Sequence, residues 1–207
     1  GFEANRRDGV VQTVRVTLPE YLYGDTASIH AFVQSVLRPV RHLPGVTSAS
    51  VINSVPLGLF FIQDEFEVEG KSTPPFLAGV PRVEPNCFQT MGIPLLAGRD
   101  FTEADTSSGA PVVIVSEQAV RGLFPRGPQE AINQRLRIGE SGPWMSIVGV
   151  VADVRQWGTS IDVQPMIYLP FRQDQSGFLR IMSFVVRTTE PAQVARDIRT
   201  EIRRVAP

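Results

Sequence analysis

Apolar and polar residues alternate along residues 10 to 18, VVQTVRVTL, and this period of two predicts a half-buried strand. After a polar turn, the apolar spacing becomes that of an amphipathic helix. Asp25 or Thr26 is a suitable N-cap, because a short polar side chain accepts a hydrogen bond from the first helical turn. The predicted buried face of this helix comprises Ile29, Phe32, Val33, Val36, Leu37, Val40 and Leu43.

The end of this helix and the segment after it complete a β-α-β unit. Pro44 and Gly45 end the helix, and the following VTSASVINSV predicts a second strand. Pro39 lies inside the helix and predicts a kink, because proline lacks the backbone donor and clashes with the preceding turn.

The far end of the chain has a matching pattern. Residues 166 to 171 (MIYLPF) and 183 to 189 (SFVVRTT) predict two strands separated by a polar loop. A helix is predicted from about Glu190, with Pro191 in its first turn. Its buried stripe comprises Val194, Ile198, Ile202 and Val205.

The middle of the chain differs in texture from both ends. It alternates short predicted strands with short predicted helices near 84 to 91 and 116 to 124, punctuated throughout by proline and glycine. We therefore predict an α+β protein in which residues 1 to 55 and 159 to 207 form one α/β sandwich. Residues 56 to 158 form an inserted small α/β subdomain.

Composition narrows the possible functions. The chain has 207 residues, 43% hydrophobic and 20% charged, with a net charge of −1, so nothing favours a nucleic-acid partner. Cys87 is the single cysteine, which excludes an intramolecular disulfide and a cysteine-rich zinc site. No apolar run reaches the roughly 18 residues of a membrane span, and no signal peptide is recognisable, so we expect a soluble piece.

The segment GRDFTEAD, residues 98 to 105, carries the densest candidate chemistry. It gathers Asp100, Glu103 and Asp105 beside Arg99, an arrangement that suits a hard metal ion or acid–base work. A structural reading accounts for the same residues. Thr102 and Asp105 have the spacing of a capping box, and Asp100 follows a natural tight turn. We expect these acids to shape a turn.

The remaining candidates also favour structural roles. His30 and His42 are twelve positions apart on the first helix, too far to share a metal ion, and we expect both to flank its apolar face. Cys87 beside Phe88 is expected to be a small core residue. We therefore predict no catalytic, cofactor-binding or metal-binding residue. The competing hypothesis is a metal-dependent hydrolase that uses Asp100, Glu103, Asp105 and Asp153.

An ordered series of segments carries a family resemblance. The series is LPGV (43–46), SVPL (54–57), FEVEG (66–70), MGIPLLAGRDFTEAD (91–105), PVVIVSEQAVRGLFP (111–125), SIVGVVADVR (146–155) and IYLPF (167–171). In this order it resembles the periplasmic core domain of MacB-like, FtsX-like ABC transporter permeases. One departure is Asn133 in AINQRLRIG, where family members commonly have glycine. The chain also ends before the strand that usually follows the last helix, which suggests an excised piece.

The resemblance implies an extracytoplasmic domain between two transmembrane helices of an inner-membrane permease. Its chain ends would form a porter-like βαβ/ββα subdomain, and its middle an inserted Sabre-like subdomain. The implied role is non-catalytic transmission of helix motion to periplasmic partners or substrate. The implied partners are the membrane helices of the same permease, a cytoplasmic ATPase module, a second permease subunit and a periplasmic adaptor.

An alternative function is a periplasmic module that binds a hydrophobic ligand directly. This alternative is based on the apolar stretch PLGLFFIQD, residues 56 to 64. In either case we expect a mainly monomeric domain with part of its apolar surface exposed. The candidate interaction surface comprises Leu57, Leu59, Phe60, Phe61 and Trp157.

Overall fold

The computed structural model describes residues 9–54, 62–71, 76–154, 163–175 and 178–205. Strands β1 to β11 span Val10–Thr17, Val46–Ile52, Gln63–Val68, Phe76–Gly79, Arg82–Val83, Leu95–Gly98, Val112–Ser116, Arg135–Ile138, Met145–Val151, Ile167–Pro170 and Ile181–Thr188. Helices α1 to α5 span Thr26–Val40, Cys87–Met91, Glu117–Val120, Pro128–Ala131 and Pro191–Val205. Two short 3-10 turns cover Phe171–Gln173 and Phe178–Arg180. The α+β class predicted from the sequence is confirmed.

The two ends of the chain pair with each other. Strand β11 runs antiparallel to β1 along its whole length and antiparallel to β2 on its other edge. The two strands of the opening β-α-β unit are therefore parallel, with β11 between them. Both α1 and α5 pack into the same apolar core with these strands. The first and last elements of the described chain therefore share one apolar core.

Helix α1 follows its sequence pattern closely. The Asp25 carboxylate accepts a hydrogen bond of 2.7 Å from the backbone of Ser28, as an N-cap does. Six of the seven residues on the predicted apolar face are buried in the helix, and Leu43 packs beside it after the helix ends at Val40. Pro39 is the penultimate helical residue, so the donor that it lacks falls in the last turn.

The sheet continues from the chain ends into the middle of the chain. Strand β2 pairs with β5, and β10 lies between β5 and β7. Strand β10 belongs to the predicted end subdomain, yet both of its partners come from the middle. Beyond it, the sheet follows the order β7, β9, β8, β3 and β4, and β6 pairs with β9. The division at residues 55 and 158 stays a prediction, because the sheet runs through both ends and the middle.

Two backbone positions show why the middle folds as it does. Gly98 has a φ of +73°, and a Cβ atom there would lie 2.1 Å from the Val148 carbonyl oxygen. Glycine therefore lets β6 lie against β9. Asn133 has a φ of 68°. Asparagine tolerates this left-handed conformation better than most residues, so it fits the turn before β8.

The residues that the structure describes form three apolar cores. One belongs to the chain ends and another to the middle strands. The third combines Ile52, Tyr168 and Val185 of the ends with Phe88 and Phe101 of the middle. An apolar junction of this kind resists relative motion, because opening it would expose the shared core to water. No helix within the described ranges is long and apolar enough to cross a membrane.

Candidate functional site

The acidic turn after β6 is organised around Asp105. The Arg99 guanidinium donates two hydrogen bonds to this carboxylate, from Nη1 to Oδ2 at 2.8 Å and from Nη2 to Oδ1 at 2.9 Å. The backbone N–H of Thr102 also donates to Oδ2, at 2.8 Å. Burial alone would raise the pKa of Asp105, but the hydrogen bonds from Arg99 and Thr102 outweigh it and lower that pKa.

The predicted capping box is wrong in one respect. Asp105 satisfies the backbone donor of Thr102, but the Thr102 hydroxyl donates to the same carboxylate, and no helix begins there. The following segment TSSGAP lacks an apolar helical face, so the chain passes through two short turns, at 103–104 and 107–108, before it enters β7. Asp100 accepts a 2.6 Å hydrogen bond from the Phe101 backbone, while burial raises its pKa.

The acids of the hydrolase hypothesis have separate structural partners. Asp153 accepts a 2.7 Å hydrogen bond from the backbone of Gln118 in the first turn of α3, and it lies 3.4 Å from Arg121. Glu103 is exposed and lies 3.7 Å from Arg172. Across the described part of the chain, no three His, Cys, Asp or Glu side chains are arranged to hold a metal ion.

The histidines and the cysteine also have structural surroundings. His30 Nε2 donates to the Phe171 carbonyl at 3.0 Å, and His42 Nδ1 donates to the Arg38 carbonyl at 2.7 Å. Cys87 is buried in the core between the ends and the middle. Burial raises the pKa of its thiol, so the reactive thiolate is disfavoured at neutral pH.

The candidate interaction surface stays a prediction. All five of its residues, Leu57, Leu59, Phe60, Phe61 and Trp157, lie outside the described residues. Other large apolar side chains are exposed within the described ranges. They are Val10 of β1, Tyr21 and Leu22 after β1, Phe76 and Leu77 of β4, and Leu95 and Leu96 of β6.

A buried polar network crosses the junction between the ends and the middle. Glu84, 1% exposed, follows β5 and accepts hydrogen bonds from Gln34 of α1 at 3.1 Å and Arg172 at 3.3 Å. Its other carboxylate oxygen has no hydrogen-bond partner among the described residues. Arg172 reaches onward to the Glu103 carbonyl, at 3.4 Å. The network thus ties α1 to the acidic turn through a single carboxylate.

A cavity of about 350 Å³ is lined by residues of β3, β5, β8, β9 and β10. Much of its wall is apolar and consists of Ile62, Val80, Ile138, Met145, Leu169 and Pro170. Arg82 and Asp174 also line it and form a buried ion pair, with Nε 3.3 Å from Oδ2. The two charged groups are in contact, but the Arg82 Nε–H does not point at the carboxylate well enough to form a hydrogen bond.

Sequence reasoning missed the junction network and the cavity. The available signal was the pair Arg82 and Glu84, two charged residues two positions apart in the otherwise apolar segment GVPRVEP. Charges on one face of a buried strand require partners, so they point to a polar network. The partners Gln34, Arg172 and Asp174 are remote in the chain and could not be assigned from spacing.

Comparison with known proteins agrees with this architecture. A family model described as the MacB-like periplasmic core domain matches residues 2–205. The macrolide export ATP-binding/permease protein MacB of Bartonella henselae is 29% identical over 92 residues, which is 44% of this chain and 13% of that protein. The chain therefore aligns with only a small part of this curated relative.

Solved structures of transporter domains share the fold. The periplasmic region of MacB from Actinobacillus actinomycetemcomitans superposes with a TM-score of 0.62 at 20% identity, covering 98% of this chain and 87% of that one. The extracellular domain of the noncanonic ABC-type transporter YknZ from Gram-positive bacteria gives 0.58 at 15% identity, covering 95% and 92%. A domain of a putative permease from Porphyromonas gingivalis gives 0.52 at 18% identity, covering 82% and 69%. Together with the family match, these similarities confirm the resemblance found in the sequence, and the chain belongs to the family of MacB-like periplasmic core domains.

Proposed function

We propose that this chain is a non-catalytic extracytoplasmic domain of an ABC-transporter permease of the inner membrane. It transmits the motion of the membrane helices to the handling of periplasmic partners or substrate. The partners of this proposal are the membrane helices of the same permease and a cytoplasmic ATPase module acting through them. A second permease subunit and a periplasmic adaptor complete the assembly.

The single observation that supports transmission is the continuity of the fold across the junction. The first strand and the last helix pack in one core, so a force applied at either end acts on the same unit. The sheet then passes through β2, β5 and β10 into the middle strands. The shared apolar core between the two parts makes a hinge at this point energetically unfavourable.

A disulfide across the junction tests whether the two parts move as one unit. Ile52 of β2 lies opposite Val83 of β5. The flanking hydrogen bonds run from Asn53 to the Arg82 carbonyl and from Glu84 to the Val51 carbonyl, so the facing residues are a non-hydrogen-bonded pair. The Cα atoms of such pairs are roughly 4.5 Å apart, within reach of a disulfide.

The experiment uses the full permease with its ATPase in lipid vesicles. We expect oxidation of an Ile52→Cys/Val83→Cys variant, in a Cys87→Ala background, to leave the rate of ATP hydrolysis unchanged. The matched control is Arg15→Cys/Ser183→Cys, which joins the neighbouring strands β1 and β11 within the sheet of the chain ends. A rate that falls on oxidation of the junction pair, but not of the control pair, contradicts transmission by one unit.

A second function, the binding of a hydrophobic ligand, is favoured by the cavity. Its volume of about 350 Å³ lies within the range of small-molecule sites, and much of its wall is apolar. The hydrogen bonds of Gln173 fix one side of it. The side-chain amide of Gln173 donates to the carbonyls of Thr106 and Ala110 and accepts from the backbone N–H of Val112. The cavity is therefore preformed on that side.

A further inference from the structure

The charges around the cavity are unequal in sign. Asp64 and Asp174 contribute two carboxylates, and Arg82 contributes one guanidinium. Arg82 is already engaged, since its Nη1 donates to the Val80 carbonyl at 2.6 Å and its Nε lies 3.3 Å from Asp174. The positive charge of Arg82 is therefore already compensated by groups of the cavity wall.

Among the described residues, Asp64 carries the one charge of the cavity wall that the pairing of Arg82 with Asp174 does not compensate. It lies in β3 with its side chain exposed, and its Oδ1 accepts a 2.9 Å hydrogen bond from the Glu65 backbone. Within the part of the chain that the structure describes, no basic side chain forms an ion pair with Asp64. Its carboxylate thus gives the cavity wall a net negative charge next to an apolar surface.

We propose that this cavity binds a small amphiphile with an apolar body and a single positive charge. The body lies against Ile138, Met145 and Leu169, and the cationic group lies at Asp64. Burial of the body supplies most of the free energy of binding, and the carboxylate selects the sign of the head group. The inference rests on the ligand-binding function and is independent of the transmission of motion.

A set of three ligands with the same eight-carbon chain tests the proposal. They are n-octylammonium, 1-octanol and octanoate, which carry a positive, neutral and negative head group at neutral pH. We expect n-octylammonium to bind about fivefold more tightly than 1-octanol, and octanoate about fivefold more weakly than 1-octanol. We expect ratios of only about fivefold, because Asp64 is exposed and water weakens its interaction with the head group.

The chain contains its own reporter for the location of binding. Of the four methionines, Met91, Met145, Met166 and Met182, Met145 lines the cavity. With 13C-labelled methionine methyl groups, titration of the 207-residue chain should shift the Met145 signal and leave the other three nearly unchanged. Its concentration dependence gives the affinity at this site.

Two substitutions and a control separate the contributions of charge and shape. Asp64→Asn should abolish the preference for n-octylammonium over 1-octanol and leave the affinity for 1-octanol unchanged. Ile138→Phe should weaken all three ligands by filling the cavity. Glu190→Gln removes an exposed carboxylate at the start of α5 and should change nothing.

The outcomes are decisive for the proposal. If the Met145 signal shifts but octanoate binds as tightly as n-octylammonium or more tightly, the selectivity for a positive charge is overturned. The same result still supports a site for a hydrophobic ligand. The absence of any Met145 shift with all three ligands overturns both the site and the ligand-binding function. Neither result bears on the disulfide experiment, which tests transmission alone.

Discussion

Arg99 holds Asp105 in a two-pronged ion pair, with hydrogen bonds of 2.8 and 2.9 Å between the guanidinium and the carboxylate. Asp105 is 8% exposed, so its carboxylate is buried. Arg99 neutralises its charge, and the backbone N–H of Thr102 donates a further hydrogen bond to it. The residues that looked most like an active site therefore fix the turn that leads from β6 to β7.

Removing the Asp105 carboxylate should destabilise the fold. We expect Asp105→Ala to lower the free energy of unfolding by about 1–2 kcal/mol, because the Thr102 N–H and the Arg99 guanidinium both lose their acceptor. Glu103→Ala, in the same turn but exposed, should cost less than about 0.5 kcal/mol. Urea unfolding of both variants measures the difference. Equal losses would refute the structural role of Asp105.

The same carboxylate predicts a dependence of stability on pH. The folded-state pKa of Asp105 is lowered, so its stabilisation is fully present above the unfolded value of about 3.9 and is lost as pH falls through the folded pKa. The difference in unfolding free energy between the wild type and Asp105→Asn should be constant above about pH 5 and shrink at lower pH. A difference that grows on acidification would show that the sign is wrong.

The junction network predicts a coupling between Glu84 and Arg172. Arg172→Met should lower the free energy of unfolding by about 2–3 kcal/mol, because it leaves the buried Glu84 carboxylate with Gln34 as its remaining side-chain partner. The double variant Glu84→Gln/Arg172→Met should lose less than the sum of the single variants, since it removes the uncompensated charge. Additive losses in the double-mutant cycle would show that the two side chains act independently.

Local chemistry made much of the fold predictable. The N-cap at Asp25 and the start of α5 at Pro191 each depend on residues within one turn, so the sequence pattern locates them. Strand β6 and helix α4 were not predicted, because LLAG does not alternate between apolar and polar residues and PQEA has no apolar helical face.

Long-range partners could not be predicted. Thr102 and Asp105 have the spacing of a capping box, but Arg99 and the polar segment after the turn determine that no helix forms. The ion pair of Glu84 with Arg172 joins residues 88 positions apart. The cavity likewise combines wall residues from β3, β8, β9 and β10. Such sites depend on strand order, which local pattern does not encode.

We expect the chain ends and the middle to move as one unit when the membrane helices move. Double electron–electron resonance measures this directly in the full permease, with spin labels at Ser141 in the middle and Thr200 on α5. Both positions are exposed, and Cys87 is buried and replaced by alanine. We predict that the Ser141–Thr200 distance within one chain stays constant on addition of a non-hydrolysable ATP analogue, whereas the distance between the Ser141 labels of two permease copies changes. A nucleotide-dependent change of the Ser141–Thr200 distance within one chain, or no change between the copies, would contradict the transmission of motion by one unit.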